Sequence, residues 1–580
     1  MIGARQSAKG LLGLVTMVGL MLATAASAQD AAPSKESLRA IYPGQSYSPY
    51  AGRSFPTWPL WGDTHVHTSY SMDAGAFGAR LDMKDAYRFA RGEELVSSTG
   101  IRVRLARPLD FLVVADHSDN MGFFPRLNAG DPEMLADETG RRWYDLIQKG
   151  GDDAVGVALD VIARFSDGTF PPALASLPGS PAYGDAWSDA IEAAEGANAP
   201  GHFSAFIGYE WTSNTAGNNL HRVVMYRDGG DKASMMEPYT TLPPAGSDNP
   251  RDLWKWLARY QDKTGGRVLA IPHNGNLSNG IMFPLVDSFT GKKLDRAYAE
   301  SRRKWEPVYE VTQIKGDGEA HPFLSPDDEF ADYETWDKAN LTMTVPKKDE
   351  MLQYEYARSA LGIGFQLEKR LGVNPYQFGM IGSTDTHTGL VVAKFGDAVI
   401  LGWEQAASGY AAVWAEENTR ESIFDAIMRR EVYATTGPRI YLRLFAGWDF
   451  EAADAQSRNP AAIGYGKGVP MGGELHAAPR GKAPSFLVAA LRDPVGANLD
   501  RAQIIKGWID KKGKLHEKVY DVALSDGRKA DAQGSVPPVG STVDVAKATW
   551  SNTIGDSELI TVWRDPDFDP AQPAFYYLRA

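Results

Sequence analysis

The chain has 580 residues, 43% of them hydrophobic, and a formal net charge of −13. That length buries a large core and fits at least two domains, since domains run roughly 100–200 residues, and the acidic balance argues against nucleic acid, whose partners present a basic face. With no cysteine, disulfides, thiolate ligands and thiol nucleophiles are excluded, so any metal must be held by His, Asp, Glu or other oxygen donors.

The N-terminus is expected to lie outside the fold. Arg5 and Lys9 give a positive start, Leu11 to Ala26 is an apolar run short for a membrane span, and Ala26-Ser27-Ala28 is a small-x-small cleavage site. Together they predict a signal peptide over 1–28 and a periplasmic or secreted mature protein. No later apolar run is long enough to cross a bilayer. Residues 29–58, rich in Ala, Ser, Pro and Tyr, predict an extended N-terminal arm.

From residue 59 to 440 the pattern is apolar strand, polar tip, helix. Leu60 to Thr68 is the first strand, and successive side chains alternate faces, so His65 and His67 share one face. MKDAYRFARGEE has helical spacing. Leu109 to His117 is nearly continuous in apolar residues, as strands covered on both faces are, and ends in Asp116-His117. Residues 120–200 carry helical patterns broken by Gly and Pro, an insertion-sized segment. Further strands follow at 203–210, ending in Glu210, at 221–226, at 268–274 and at 309–314. Another spans 378–384 and runs into Asp385-Thr386-His387. Thr419 to Arg430 is an amphipathic helix. This rhythm predicts an α/β barrel or wound sheet, in which strand C-termini carry the chemistry. After 440 helical patterns vanish, and short strands between Gly, Pro and Asp turns predict a β-sandwich-like domain over 441–580.

Six of the ten histidines, His65, His67, His117, His221, His273 and His387, lie in or at the ends of these strands. One histidine in a strand is most often a core residue. Six of them interleaved with Asp116, Glu210 and Asp385 point to a metal site. The other candidates are substrate-facing. Lys315 and His321, in IKGDGEAHP, follow a strand whose end faces the site and are placed to bind phosphate or protonate a leaving group. Asn274 is a substrate contact or a turn residue. Arg222 is an oxyanion clamp, unless strand alternation turns it away from His221. Trp211 lines the pocket or belongs to the core. His202, His476 and His516 read as surface residues.

The ordered set Asp63-Thr-His65-x-His67-Thr…Asp73, Ala-Asp116-His117, Gly-x-Glu210, His221, Pro-His273-Asn and Ser-Thr-Asp385-x-His387 resembles the PHP (polymerase and histidinol phosphatase) superfamily. More closely, LWGDTHVHTSYSMDAG, ADHSDNMG, GYEWT, YEVTQIKG, GSTDTHTG and YATTGPRI resemble its exported DUF3604 branch, over about residues 59–445 and on into the C-terminal segment. The resemblance implies a distorted (β/α)7 PHP-type barrel with inserted helical segments and a trinuclear metal cluster. It implies that His65, His67, Glu210 and Asp385 hold one ion. Glu210 would bridge to a second ion on His221 and His273, and Asp73, His117 and His387 would hold the third. Asp73 departs from the pattern by lying one residue further from His67. Asp116 would orient a neighbouring ligand.

Closely spaced divalent ions acidify a bridging water, hold substrate oxygens and stabilise charge in an in-line attack. Imidazoles and carboxylates suit Zn, Mn or Fe. The expectation is therefore an exported metal-dependent hydrolase using two or three such ions, a phosphoesterase acting on a small phosphorylated substrate. A barrel amidohydrolase of C–N or C–O bonds also opens with His-x-His and closes with a late Asp, but usually has a bridging lysine where Glu210 stands. A non-catalytic periplasmic protein with structural metals is the third possibility.

Overall fold

The computed structural model describes residues 55–391, 409–476, 478–531 and 536–580. The expected signal peptide and nearly all of the N-terminal arm lie outside these residues. No described helix is long and apolar enough to cross a membrane.

The strand carrying the histidine pair is β1, Leu60–Val66. It pairs in parallel with β2, Phe111–Val114, which pairs in parallel with β3, Ser204–Phe206. Gly62 lets the two chains approach, since a Cβ there would lie 2.4 Å from the Phe111 ring. The run 203–210 is two strands. After Ile207 the chain leaves β3 and enters β4, Gly208–Trp211, which opens an antiparallel sheet with β5, Arg222–Tyr226, and β6, Val268–Pro272. A third sheet is built on β7, Val308–Gln313, with the two-residue β8, Gly316–Asp317, on one side and β9, Gly379–Gly382, in parallel on the other. Strands β10, Ala411–Val413, and β11, Val432–Ala434, complete the first sheet in the order β11-β10-β1-β2-β3.

None of these sheets closes on itself, so the ladders do not by themselves make the expected (β/α)7 barrel. An antiparallel turn without a helix joins β4 to β5, and β10 pairs antiparallel with β11 across a connection that holds the helix Arg420–Met428, which breaks the parallel β/α alternation. Single parallel bridges join the three sheets: His117 with Glu210, His273 with Glu310, and Val66 with Thr386. Strand alternation then sorts the core. Phe111 and Val113, Phe206, Val223 and Met225, Leu269 and Ile271, Val308, Ile381 and Val413 meet in one apolar cluster. The intervening Leu112, Val114, Ala205, Val224 and Ala270 belong to a second cluster, shared with helical residues.

Helices α1, Met72–Ala76, and α2, Met83–Ala90, follow β1. The insertion holds α3, Phe123–Asn128, α4, Glu138–Lys149, and α5, Gly151–Asp167. Further on come α6, Ala357–Leu371, and α7, Arg420–Met428. The C-terminal segment forms two antiparallel sheets. One pairs β12, Tyr441–Gly447, with β13, Gly468–Pro470, and with β14, Ser485–Leu491, which also pairs with β17, Glu558–Arg564. In the other, β15, Arg501–Ile509, lies between β16, Leu515–Leu524, and β18, Ala574–Arg579. Both sheets share an apolar cluster with Trp61, Trp414 and Tyr433.

Arginines tie the C-terminal sheets to the segment after β8. Arg358 on α6, 1% exposed, pairs with Glu319 at 2.8 Å, Asp328 at 2.7 Å and Glu517 at 3.2 Å, and donates to Tyr577 Oη at 2.8 Å. Arg579 on β18 pairs with the other oxygen of Asp328 at 2.7 Å, and Arg501 on β15 pairs with Glu329. Removing one partner from a buried charge network costs far more than the network contributes. Arg358→Ala should therefore destabilise the protein by about 3–5 kcal/mol, read as a shift of the urea unfolding midpoint.

Candidate metal centre

The side-chain parity that fills the first apolar cluster also builds the site. Counting in twos from Phe111, Val113 and Ala115 leads to His117. Counting back from Met225 and Val223 leads to His221, and forward from Leu269 and Ile271 leads to His273. Val308 leads to Glu310, and Ile381 to Asp385. Each of these strands that points an apolar residue inward therefore points a metal-type ligand inward at or just beyond its end, while β10 and β11 add only apolar residues. His65, His67 and Glu210 join from β1 and β4, His387 from beyond β9, and Asp73 from α1. All nine residues expected as ligands are brought together, with Glu310 as a tenth. Their ligand atoms fall into groups spanning no more than 4.8 Å: His67, Asp73, His117 and His387; His65, His67 and Asp385; His117, Glu210 and His221; and His65, His273 and Glu310.

Glu210 is the centre. His221 Nδ1 and His273 Nε2 lie 2.7 and 2.8 Å from its Oε1. His117 Nδ1, His67 Nε2 and His65 Nε2 lie 2.9, 3.3 and 3.5 Å from Oε2. Yet neither carboxylate oxygen, in a residue 1% exposed, receives a hydrogen bond. A buried carboxylate without compensation costs several kcal/mol.

The proton inventory explains the crowding. Except at His273, whose Nδ1 has no partner, one ring nitrogen of each histidine is pinned by an acceptor. His387 Nδ1 faces the Asp385 carbonyl at 2.9 Å, which can only accept, so Nδ1 carries the proton and Nε2 is bare. Ser71 Oγ donates to Asp73 Oδ1 at 3.1 Å and accepts from the His117 amide at 3.1 Å. His67 Nδ1, 2.9 Å away, must therefore donate to it. His65 Nδ1 donates to Glu310 at 3.2 Å, and His221 Nε2 donates to Asn214 Oδ1 at 2.9 Å. Thr212 Oγ1 donates to the Glu210 carbonyl at 3.3 Å and so accepts from His117 Nδ1. The bare inner nitrogens then face carboxylate oxygens or each other. His117 and His387 Nε2 lie 3.0 and 2.9 Å from Asp73 Oδ2. His67 Nε2 lies 3.1 Å from Asp385 Oδ1 and 3.0 Å from His65 Nε2. Lone pairs at these distances repel unless positive charge sits among them. An imidazole whose outer N–H is held by an acceptor is the usual form of a metal ligand, and this donor set fits divalent transition metals.

In the ion-free protein, protons supply part of that charge. Burial pushes His65 and His117 down, but Asp385 and Glu310 beside His65, and Asp73 and Glu210 beside His117, lift both well above the ordinary histidine value. Burial drives His67 down to about 3 and His221 to about 4, so both are neutral. Burial would raise Glu210, but His117, His221 and His273 hold it well below the carboxylate range. Asp385 is held down in the same way by His65 and Lys315.

A framework of buried carboxylates holds the backbone. Asp63 accepts from the His65 amide at 2.9 Å and from Thr384 Oγ1 at 2.5 Å, and burial pushes it up to about 7. Asp116 does not reach the ligand shell. It accepts from Thr68 N and Oγ1 at 2.6 and 2.7 Å and so fixes the residue after His67. Asp385 and Asn274 sit in left-handed backbone, with φ of 51° and 48°, a strain on the order of 1 kcal/mol that collects at functional sites.

The substrate-facing candidates fare differently. Lys315 Nζ contacts Asp385 Oδ2, and its side chain is 12% exposed. Asn274, 4% exposed, accepts from Gln313 Nε2 at 2.5 Å, and the same Gln313 amide reaches Asp385. Arg222 is no oxyanion clamp: opposite in parity to His221, it is buried, ion-paired with Glu306 at 3.1 Å and bonded to the Leu220 carbonyl. His321 is not placed as an acid. Its Nε2 meets Asp337 at 3.0 Å and its Nδ1 accepts from the Phe323 amide, so both ring nitrogens are engaged with residues outside the cluster. Trp211 is core, its Nε1 donating to the Ser247 carbonyl at 3.1 Å. Sequence reasoning missed Glu310, Ser71, Asn214, Thr212 and Gln313. Glu310 alone left a signal, as an acid in a strand otherwise rich in apolar residues.

No curated protein matches the sequence. Among solved structures, a two-domain protein from Bacteroides vulgatus, described as containing a predicted PHP-like metal-dependent phosphoesterase, is 12% identical. The match covers 80% of this chain and 84% of that one, at a TM-score of 0.30. The family described as Protein of unknown function (DUF3604) matches residues 54–397 and 393–580, and the chain belongs to that family.

Proposed function

We propose that this chain is an exported metal-dependent hydrolase, a phosphoesterase for a small phosphorylated substrate. Its site would sit at the end of a distorted (β/α)7 PHP-type barrel over 59–440, with a β-rich domain over 441–580. The observation that carries the reading is the set of imidazole nitrogens converging on the Asp73, Asp385 and Glu210 carboxylates, the last buried and without a hydrogen bond. The bridges between the three sheets and their common apolar interior support the barrel.

His65, His67, Glu210 and Asp385 would hold one ion, Glu210, His221 and His273 a second, and Asp73, His117 and His387 a third. Two or three Zn, Mn or Fe ions there would act as Lewis acids, acidifying a water and offsetting charge on phosphoryl oxygens. Substrate reaches the site from the side of Asp73, His387 and His117, whose side chains are 31%, 12% and 10% exposed. His65 and His67 lie fully buried beneath. Lys315 provides a cation for a phosphoryl oxygen, exchanging part of its contact with Asp385 for the substrate. Gln313 orients Asp385. The second reading, an amidohydrolase of C–N or C–O bonds, rests on that same lysine beside the late aspartate.

The mature protein should carry two or three tightly bound transition-metal ions per chain by elemental analysis; fewer than two would sink the cluster. Metal binding to ion-free protein should release protons, because His65 and His117 are protonated at neutral pH and must lose that proton to ligate. Affinity should therefore rise from about pH 6 to pH 8, and the binding heat should depend on the ionisation enthalpy of the buffer. On phosphomonoesters, phosphodiesters and amides with Mn or Zn added, turnover of a phosphoester is expected; turnover of amides alone would favour the second reading. Glu210→Gln should lower kcat by on the order of 10²-fold or more. Lys315→Ala should lower kcat/KM about 10–100-fold, the worth of a hydrogen bond to a charged group.

A further inference from the structure

Asp73 is held differently from the other ligands. The histidines and Glu210 stand on strands or directly at their ends, fixed by ladders and bridges. Asp73 stands on α1, a five-residue helix with no side-chain N-cap, too short to hold its own shape. Ser71 Oγ and the Ala74 amide, at 3.1 and 2.7 Å, pin its Oδ1 and leave Oδ2 for His117 and His387. The helix itself leans on the insertion. Met72 belongs to an apolar core built around Phe123, Phe124, Leu127 and Trp143, distinct from the clusters under the sheets. Helix α1 packs on α3 and α5. Gly75 lies so close to α3 that a Cβ would stand 2.5 Å from Phe124 Cβ.

We infer that the helical insertion is a positioning element for the outer, most exposed ion. Its core sets where Asp73 stands and hence how tightly the group Asp73, His117 and His387 binds. The inner ligands His65, Glu210 and His273 are set by the sheets, and Asp385 by Gln313 and Lys315, none of them by the insertion. The inference rests on the metal reading above. It divides the site into ions fixed by the barrel and one ion tuned by an appendage.

The test uses the full mature protein loaded with Mn or Zn and titrated with a competing chelator, counting ions per chain by elemental analysis. Gly75→Ala, which forces α1 off Phe124, and Met72→Ala, which removes its anchor, should weaken one ion roughly 10–100-fold, the usual effect of disturbing a ligand's support. They should match Asp73→Asn and leave the remaining ions bound. Leu159→Ser, on the exposed face of α5 at 58% exposure, should leave every ion unchanged. If Gly75→Ala does not unfold cooperatively, Met72→Ala decides alone. Full occupancy at wild-type affinity in the folded variants would overturn the proposal, as would equal loss in Leu159→Ser. A wild-type protein with no tightly bound metal would instead bring down the metal reading itself, and the positioning role with it.

Discussion

The interior of this protein ends in a concentration of electron pairs. Five imidazoles crowd one buried carboxylate, and four of them already have an N–H committed elsewhere, His65 to Glu310, His67 to Ser71, His117 to Thr212 and His221 to Asn214. That commitment turns proximity into chemistry. A histidine free to rotate or change tautomer would relieve the repulsion by offering its proton to Glu210. Held by their far nitrogens, His65, His67 and His221 cannot; His273, whose Nδ1 has no partner, relieves at most its own contact with Glu210, and the rest of the cluster takes its positive charge from protons or ions. The apolar layer beneath strengthens the demand, because it denies the carboxylates water.

The layout follows from a simple rule applied to the ligand-bearing strands. Inward residues are apolar in the lower layers and ligating at the top, so one alternation pattern makes both the core and the site. Two ligands are not held by a strand ladder: Asp73, on a short helix and outside this rule, and Asp385, which keeps the parity but sits in left-handed backbone beyond β9. Asp73 borrows its rigidity from the inserted helices, and Asp385 from Gln313 and Lys315.

Much of this was legible in the chain. The strands near residues 60, 112, 224, 270 and 310 stand out as apolar runs, and the ligands stand out as histidines and acids where those runs end. The pairing of strands was not legible, because a run such as 203–210 carries no mark that Ile207 divides two sheets. Glu310 escaped because its partner His65 is 245 positions away, and an acid among apolar strand neighbours does not by itself name the group it faces. Arg222 was ambiguous for the opposite reason: its neighbour His221 drew attention to it, while alternation sends it to Glu306. His321 sits in a polar loop suited to catalysis, and only the fold gives it Asp337 as a partner.

The arginine ties of Arg358, Arg501 and Arg579 carry a consequence for how the chain matures. Arg579 meets Asp328 across 251 positions and Arg501 meets Glu329 across 172. Asp328 and Glu329 therefore lack these two cationic partners until the β15 and β18 strands have been made, long after the histidine strands. Contacts of such separation close late, because the loop entropy must be met first. The wall carrying Lys315 is thus expected to set after the ligand-bearing sheets, so that ions can enter an open cradle before the charged rim settles around them.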